Sequence, residues 1–196
     1  MFYIYVKIKI YIQKGRVMKR LHLIDKKDYD TLTHVYERQA VRAVILKKDK
    51  LVMIQSQTFG EYKFPGGGLE SEESLIETLM RETKEETGLT VIASSVSPIG
   101  YIEEKRKSSY EEHTIFQMKS YYFLCDTLKA QHETNLDDYE KAYGYQLTYV
   151  TLDEAIKQNE HALETYGSQA YWIERELWML KFLKKHEKTR CTHETL

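Results

Sequence analysis

A proline followed by three glycines, Pro65-Gly66-Gly67-Gly68, stands just ahead of a long amphipathic run, and this pairing constrains the chain more than any other feature. Consecutive glycines reach φ > 0 and let backbone approach a ligand without a Cβ in the way. Ser71 and Ser74 are both candidate N-caps. The pattern predicts a helix from about Glu73 to Thr87, with Gly88 as its C′ stop. At about 100° per residue, Leu75, Ile76, Leu79, Met80 and Thr83 share one apolar arc. Glu82, Glu85 and Glu86 share the neighbouring arc, because positions three and four apart are surface neighbours.

Helix stability alone argues against that acidic cluster. Its carboxylates repel one another by a few tenths of a kcal/mol per pair, on the order seen for like charges at this spacing. They also lie in the last turn, where the macrodipole disfavours negative charge. A hard divalent cation reverses the sign of the problem, since Mg²⁺ prefers carboxylate oxygens. By itself Arg-Glu-x-x-Glu-Glu is equally the pattern of a solvated acidic face. The whole stretch is more specific. Gly67, Glu73, Arg81, Glu82, Glu85, Glu86, Gly88 and Leu89 fall in register with G-x5-E-x7-R-E-U-x-E-E-x-G-U, where U is a bulky aliphatic. The stretch thereby resembles the Nudix hydrolase signature. Thr83, at the first U, is the one departure, and it bears on local packing rather than chemistry.

The resemblance implies an α/β/α sandwich with a mixed β-sheet, here with an additional C-terminal helix. It implies hydrolysis of a nucleoside diphosphate linked to another group X, with Mg²⁺ or Mn²⁺ as cofactor. Carried over by register, Glu85 and Glu86 are the firmest metal ligands, and Glu82 is a ligand or the base that prepares water. Arg81 should orient a glutamate through a bidentate hydrogen bond, with Glu73 as its partner. The backbone of Gly66, Gly67 and Gly68 would meet the phosphates, and Tyr62 is a candidate to stack on a base. A later carboxylate often completes the family's site. Glu111, Glu112, Asp137, Asp138 and Glu140 are candidates, and Glu140 is preferred because its loop precedes a strand. The alternative is a Nudix-like domain that binds a nucleotide as a sensor without hydrolysing it. Lys105-Arg106-Lys107 lacks the proline of the family's ADP-ribose hydrolases and the tyrosine of its dinucleoside polyphosphate hydrolases. By elimination a nucleoside triphosphate leads.

Composition narrows the partners. The chain has 196 residues, 42% hydrophobic and 30% charged, with a formal net charge of −1. No global field draws it to nucleic acid or anionic lipid. Two cysteines, Cys125 and Cys191, give no disulfide framework, and a cytoplasmic setting is expected. The expected partner is a small nucleotide, with no nucleic acid or membrane, and a homodimer is left open.

Along the chain, residues 1–17 read as an extra strand or as a non-native upstream extension. In the second case Lys14-Gly15-Arg16 is what a purine-rich ribosome-binding site would encode, and Met18 is the start. Residues 18–36 read as a lead-in, 37–165 as the Nudix domain and 166–196 as a C-terminal helix and tail. Ala40–Lys47 and Leu51–Gln57 are expected to pair as a hairpin. Residues 90–105 read as extended but broken at Pro98-Ile99-Gly100, 113–128 as one long strand, and 129–143 as a charged loop. A strand at 145–150 and helices at 152–158 and 168–185 complete the expectation.

Overall fold

The computed structural model describes residues 18–188, so the expectations for the first seventeen residues and for Cys191 lie outside the described residues. The strands are β1 (Arg20–Asp25), β2 (His34–Val44), β3 (Leu46–Lys47), β4 (Lys50–Gln55), β5 (Tyr62–Lys63), β6 (Leu89–Val91), β7 (Ser97–Lys107), β8 (Thr114–Leu124), β9 (Thr127–Gln131) and β10 (Gln146–Val150). The helices are α1 (Leu75–Thr87), α2 (Asp138–Ala142), α3 (Leu152–Tyr166) and α4 (Trp172–Lys188). None of these helices is long and apolar enough to cross a membrane.

The main sheet is mixed, in the order β1-β7-β8-β2. β1 runs parallel to β7, β7 antiparallel to β8, and β2 parallel to β8. A smaller antiparallel sheet has the order β10-β4-β3, with β5 on β4. The expected hairpin is only partly realised. Its tip exists, with Leu46 opposite Leu51, but β2 pairs along its whole length with β8.

Period-2 alternation decides which helix packs where. Val41, Ala43 and Ile45 point to one side and join Val52, Phe123 and Leu79 of α1 in one core. Val44 points to the other and joins Phe64, Ile102, Tyr122, Leu152, Met179 and Leu180 in a larger core beneath α3 and α4. Helices thus cover both faces of the strands, giving the mixed-sheet α/β/α arrangement.

The lead-in, residues 18–36, holds β1, whose ladder partner β7 is far away in sequence. Three local expectations are corrected. Pro98-Ile99-Gly100 does not break β7 but bulges it, at Pro98/Gly100. The loop expected at 129–143 contains β9 and α2. The helix expected at 152–158 runs on to Tyr166, capped by a Thr151–Glu154 box.

Candidate active site

α1 begins at Leu75, because Ser74, not Ser71, is the N-cap. Ser74 accepts from the Glu77 backbone N–H while Glu77 reaches back to the Ser74 N–H. Gly88 ends the helix in the left-handed region, at φ 70°. Leu79 and Thr83 are fully buried, and Leu75, Ile76 and Met80 pack partly against the same core. The acidic arc therefore turns toward the glycines.

Arg81 organises that arc. Its Nε and Nη2 donate to the two oxygens of Glu73 at 2.7 and 2.8 Å, a fork on a carboxylate. Its Nη1 donates to Glu82 at 2.9 Å and to Glu85 at 3.0 Å. Nη2 also reaches the Gly68 carbonyl at 3.3 Å. Glu73 is fixed in turn by the Thr78 hydroxyl at 3.0 Å. The Arg81 hydrogen bonds hold the Glu73 carboxyl down at about 2. Glu82 is pushed the other way, because burial outweighs the neighbouring Arg81 charge.

The glycines are held by backbone bonds. Val41 N–H donates to the Gly67 carbonyl at 2.9 Å and Ala43 N–H to the Pro65 carbonyl at 2.7 Å. Gly66 has φ 135°, and a Cβ there would run into the Val41 carbonyl. A Cβ on Gly67 would overlap the Glu82 carboxylate. The Gly66 N–H donates to Glu86 Oε2 at 2.6 Å, and the Gly66 carbonyl accepts from Arg42.

Glu86 is buried and bonded to Lys63 Nζ at 3.0 Å. Burial pushes its carboxyl up to about 7, against the pull of Lys63. Glu140 comes in from α2, 3.9 Å from the same Lys63 Nζ. It accepts from the Tyr139 hydroxyl at 3.0 Å and closes the capping box of α2 through the Asp137 N–H. Glu73, Arg81, Glu82 and Glu85 thus form one group, and Glu86, Lys63 and Glu140 another, with the glycines between. Tyr62 stands apart from both. Its backbone is clamped by Asn159 of α3 at 2.7 and 2.8 Å, and it packs on the larger core.

As a cation site the chemistry fits and the convergence is incomplete. Among the described residues no three acidic, histidine or cysteine side chains gather as a metal cluster. Yet Glu82 and Glu85 meet at one Arg81 nitrogen, and Glu82 and Glu86 both border the glycine segment. These are hard oxygen donors of the kind a small divalent cation takes.

Next to this group lies a cleft of about 430 Å³ that the sequence did not disclose. Its floor is one face of the main sheet. Arg38 stands opposite Met118 and Arg42 opposite Tyr122, while Glu104 and Arg106 flank Met118 and Phe116 from β7. Lys63, Tyr110, Tyr139, Tyr143, Tyr145, Tyr171, Trp172 and Arg175 complete the lining. The available signal was Arg42, a lone charge inside the otherwise apolar Ala40–Val44 of β2.

The model of the NUDIX domain family matches residues 37–172. Over 79 residues the chain is 29% identical to the nucleoside triphosphatase NudI of Enterobacter sp. (strain 638), covering 40% of this chain and 56% of that protein. Over 86 residues it is 26% identical to the protein of the same name from Escherichia coli O139:H28, covering 44% of this chain and 61% of that one. The chain thus spans little more than half the length of these curated relatives. A NUDIX hydrolase from Nitrosomonas europaea shares the fold, with a TM-score of 0.50 and 21% identity over 68% of this chain and 90% of that one. The family match runs from β2 through the glycines, α1 and the cleft floor to the start of α4, and the chain belongs to the Nudix family.

Proposed function

We propose that the chain is a Nudix-type pyrophosphohydrolase that splits the phosphoanhydride of a nucleoside diphosphate linked to X, with Mg²⁺ as cofactor and a nucleoside triphosphate as the leading substrate. The observation that carries this reading is the Arg81 hub, which holds Glu73, Glu82 and Glu85 beside the glycines. Use of a divalent cation is general in the family. The two relatives named as nucleoside triphosphatases support the substrate class, as does the cationic cleft.

Glu82, Glu85 and Glu86 would hold the cation, which when bound neutralises phosphate charge and makes water more acidic. The chain's own residues do the rest. Glu73 locks Arg81, and Arg81 locks the directions of Glu82 and Glu85. Water adds its oxygen to phosphorus as the bridging P–O bond breaks. One of its protons passes to a carboxylate, and Glu82 is the candidate by register. Glu140 steadies Lys63 and is the later-loop carboxylate of the site. The glycine backbone lets phosphate approach closely, because no Cβ stands at Gly67 or Gly68.

A phosphate-release screen over nucleotides, nucleotide sugars and dinucleotides tests this. Turnover should require Mg²⁺ and vanish in EDTA. Binding of nucleotides without turnover of any of them would instead favour a sensor domain.

A further inference from the structure

Five cationic side chains line the cleft: Arg38, Arg42, Lys63, Arg106 and Arg175. Three are matched by oxygens of this chain. Lys63 meets Glu86 and Glu140. Arg175 meets Glu104 and Glu176. Arg42 bonds the Gly66 carbonyl and faces Glu176 at 3.9 Å.

Arg38 and Arg106 differ. Arg106 donates only to the Lys107 carbonyl at 3.0 Å and weakly to the Ser109 hydroxyl at 3.5 Å. Its guanidinium lies between the rings of Phe116 and Tyr171, 4.4 and 4.5 Å from their centroids, and its Nε is buried with no hydrogen-bond partner. Neither arginine has a carboxylate partner among the described residues. Arg38 is exposed, and its guanidinium lies against Gly68, with Nη2 3.0 Å from where a Cβ would stand. That places Arg38 beside the phosphate end of the cleft. Arg106 belongs to β7, two strands away across β8, on the order of 10 Å at the spacing of paired strands. Two uncompensated forks at that separation, in a cleft otherwise neutralised and walled by aromatic rings, suit one ligand with a ring and more than one anionic group.

We propose that Arg38 and Arg106 are specificity-determining residues that read the charge of the ligand beyond the scissile pyrophosphate. A nucleoside triphosphate is bound tightly, and a nucleotide whose X group is a neutral sugar is bound weakly. This rests on the function proposed above only for the ligand class. Arg38 is exposed and in no ion pair among the described residues, so its charge is the property to test.

The experiment is calorimetric binding to the full chain in EDTA, where turnover is stopped, with ATP, GTP and ADP-ribose as probes. Wild type should bind one triphosphate about tenfold or more tighter than ADP-ribose, the size of a charge-assisted hydrogen bond. Arg38→Gln and Arg106→Gln should each weaken the triphosphate about tenfold while changing ADP-ribose much less. Arg38→Lys should recover part of the loss. Equal weakening of both ligands, an unchanged ratio in both variants, or no triphosphate preference in wild type overturns the proposal. Should Arg106→Gln fail to fold, the exposed Arg38 decides alone. Charge preference without hydrolysis of any nucleotide would sink the activity and leave the pair standing. Hydrolysis with an unchanged ratio would do the reverse.

Discussion

Neighbouring glycines carry different burdens. A Cβ at Gly66 meets the Val41 backbone, which cannot yield, and φ there is 135°. A Cβ at Gly67 meets only the end of the Glu82 side chain, which can swing away. Gly67→Ala should therefore keep the melting temperature nearly unchanged while displacing a carboxylate from its place. Turnover should drop about 100-fold, the cost of a misplaced catalytic group. Near-normal turnover in a folded Gly67→Ala protein would remove Glu82 from the proposed mechanism. Thr83 calls for the opposite experiment. It is fully buried, and its hydroxyl has no hydrogen-bond partner. Thr83→Val keeps the shape and removes a desolvated polar atom, so it should stabilise by about 1 kcal/mol and leave turnover alone. A denaturant titration checks this, and a loss of stability would mean the hydroxyl is satisfied in solution.

The elements differ in how openly the sequence announces them. α1 was legible because its signals are local: a capping serine, period 3.6, and a glycine stop. β1 was not, because its partner β7 lies some eighty residues on and its own apolar pattern is brief. The Glu73–Arg81 contact could be expected from register, whereas Lys63 between Glu86 and Glu140 depends on three elements meeting. The cleft was hidden for a further reason. Its floor alternates with core residues along β2, β7 and β8, so Arg42 looks like an isolated polar interruption, while Arg106 is submerged in the charged run 103–107. Just ahead of α1, Glu73 also sets a pH dependence. Its folded pKa, about 2, lies below the ordinary 4.5, so ionised Glu73 favours the fold above pH 4.5. That contribution is lost as pH falls from 4.5 to 2. Glu73→Gln should thus be less stable than wild type at pH 6, with the gap closing as pH drops toward 2. Urea titrations at several pH values measure it, and a gap constant with pH would mean the Arg81 fork does not hold Glu73 in solution.

At the scale of the molecule, the C-terminal helix is tied to the glycines through buried charge. Glu176 of α4 is fully buried, and its Oε2 accepts from the Phe64 backbone N–H at 3.0 Å, immediately before Pro65. Its Oε1 accepts from Arg175 Nε and Nη2 at 3.1 and 2.8 Å. Arg175 also donates to Glu104 on β7 at 2.6 Å, so α4, the main sheet and the glycine approach share one network. Two arginines, Arg42 and Arg175, face two glutamates, Glu104 and Glu176, which leaves the group balanced. Glu176→Gln would break that balance and place an amide N–H₂ toward either Arg175 or the Phe64 N–H, both donors. Removing one member of a buried, hydrogen-bonded charge group costs about 3–5 kcal/mol. The loss should reach the site as well, since Phe64 leads into the loop that seats Glu82 and Glu86. The expected result is a much lower melting temperature and, well below it, reduced turnover in the folded protein. Lys181→Ala on the same helix is the contrast. Lys181 pairs with Glu160 at 2.7 Å, but both side chains are about half exposed. That change should cost less than about 1 kcal/mol and leave turnover intact. Equal, small effects from both substitutions would show that α4 merely covers the sheet. A large effect on stability with normal turnover would show that Glu176 braces the fold without positioning the glycines.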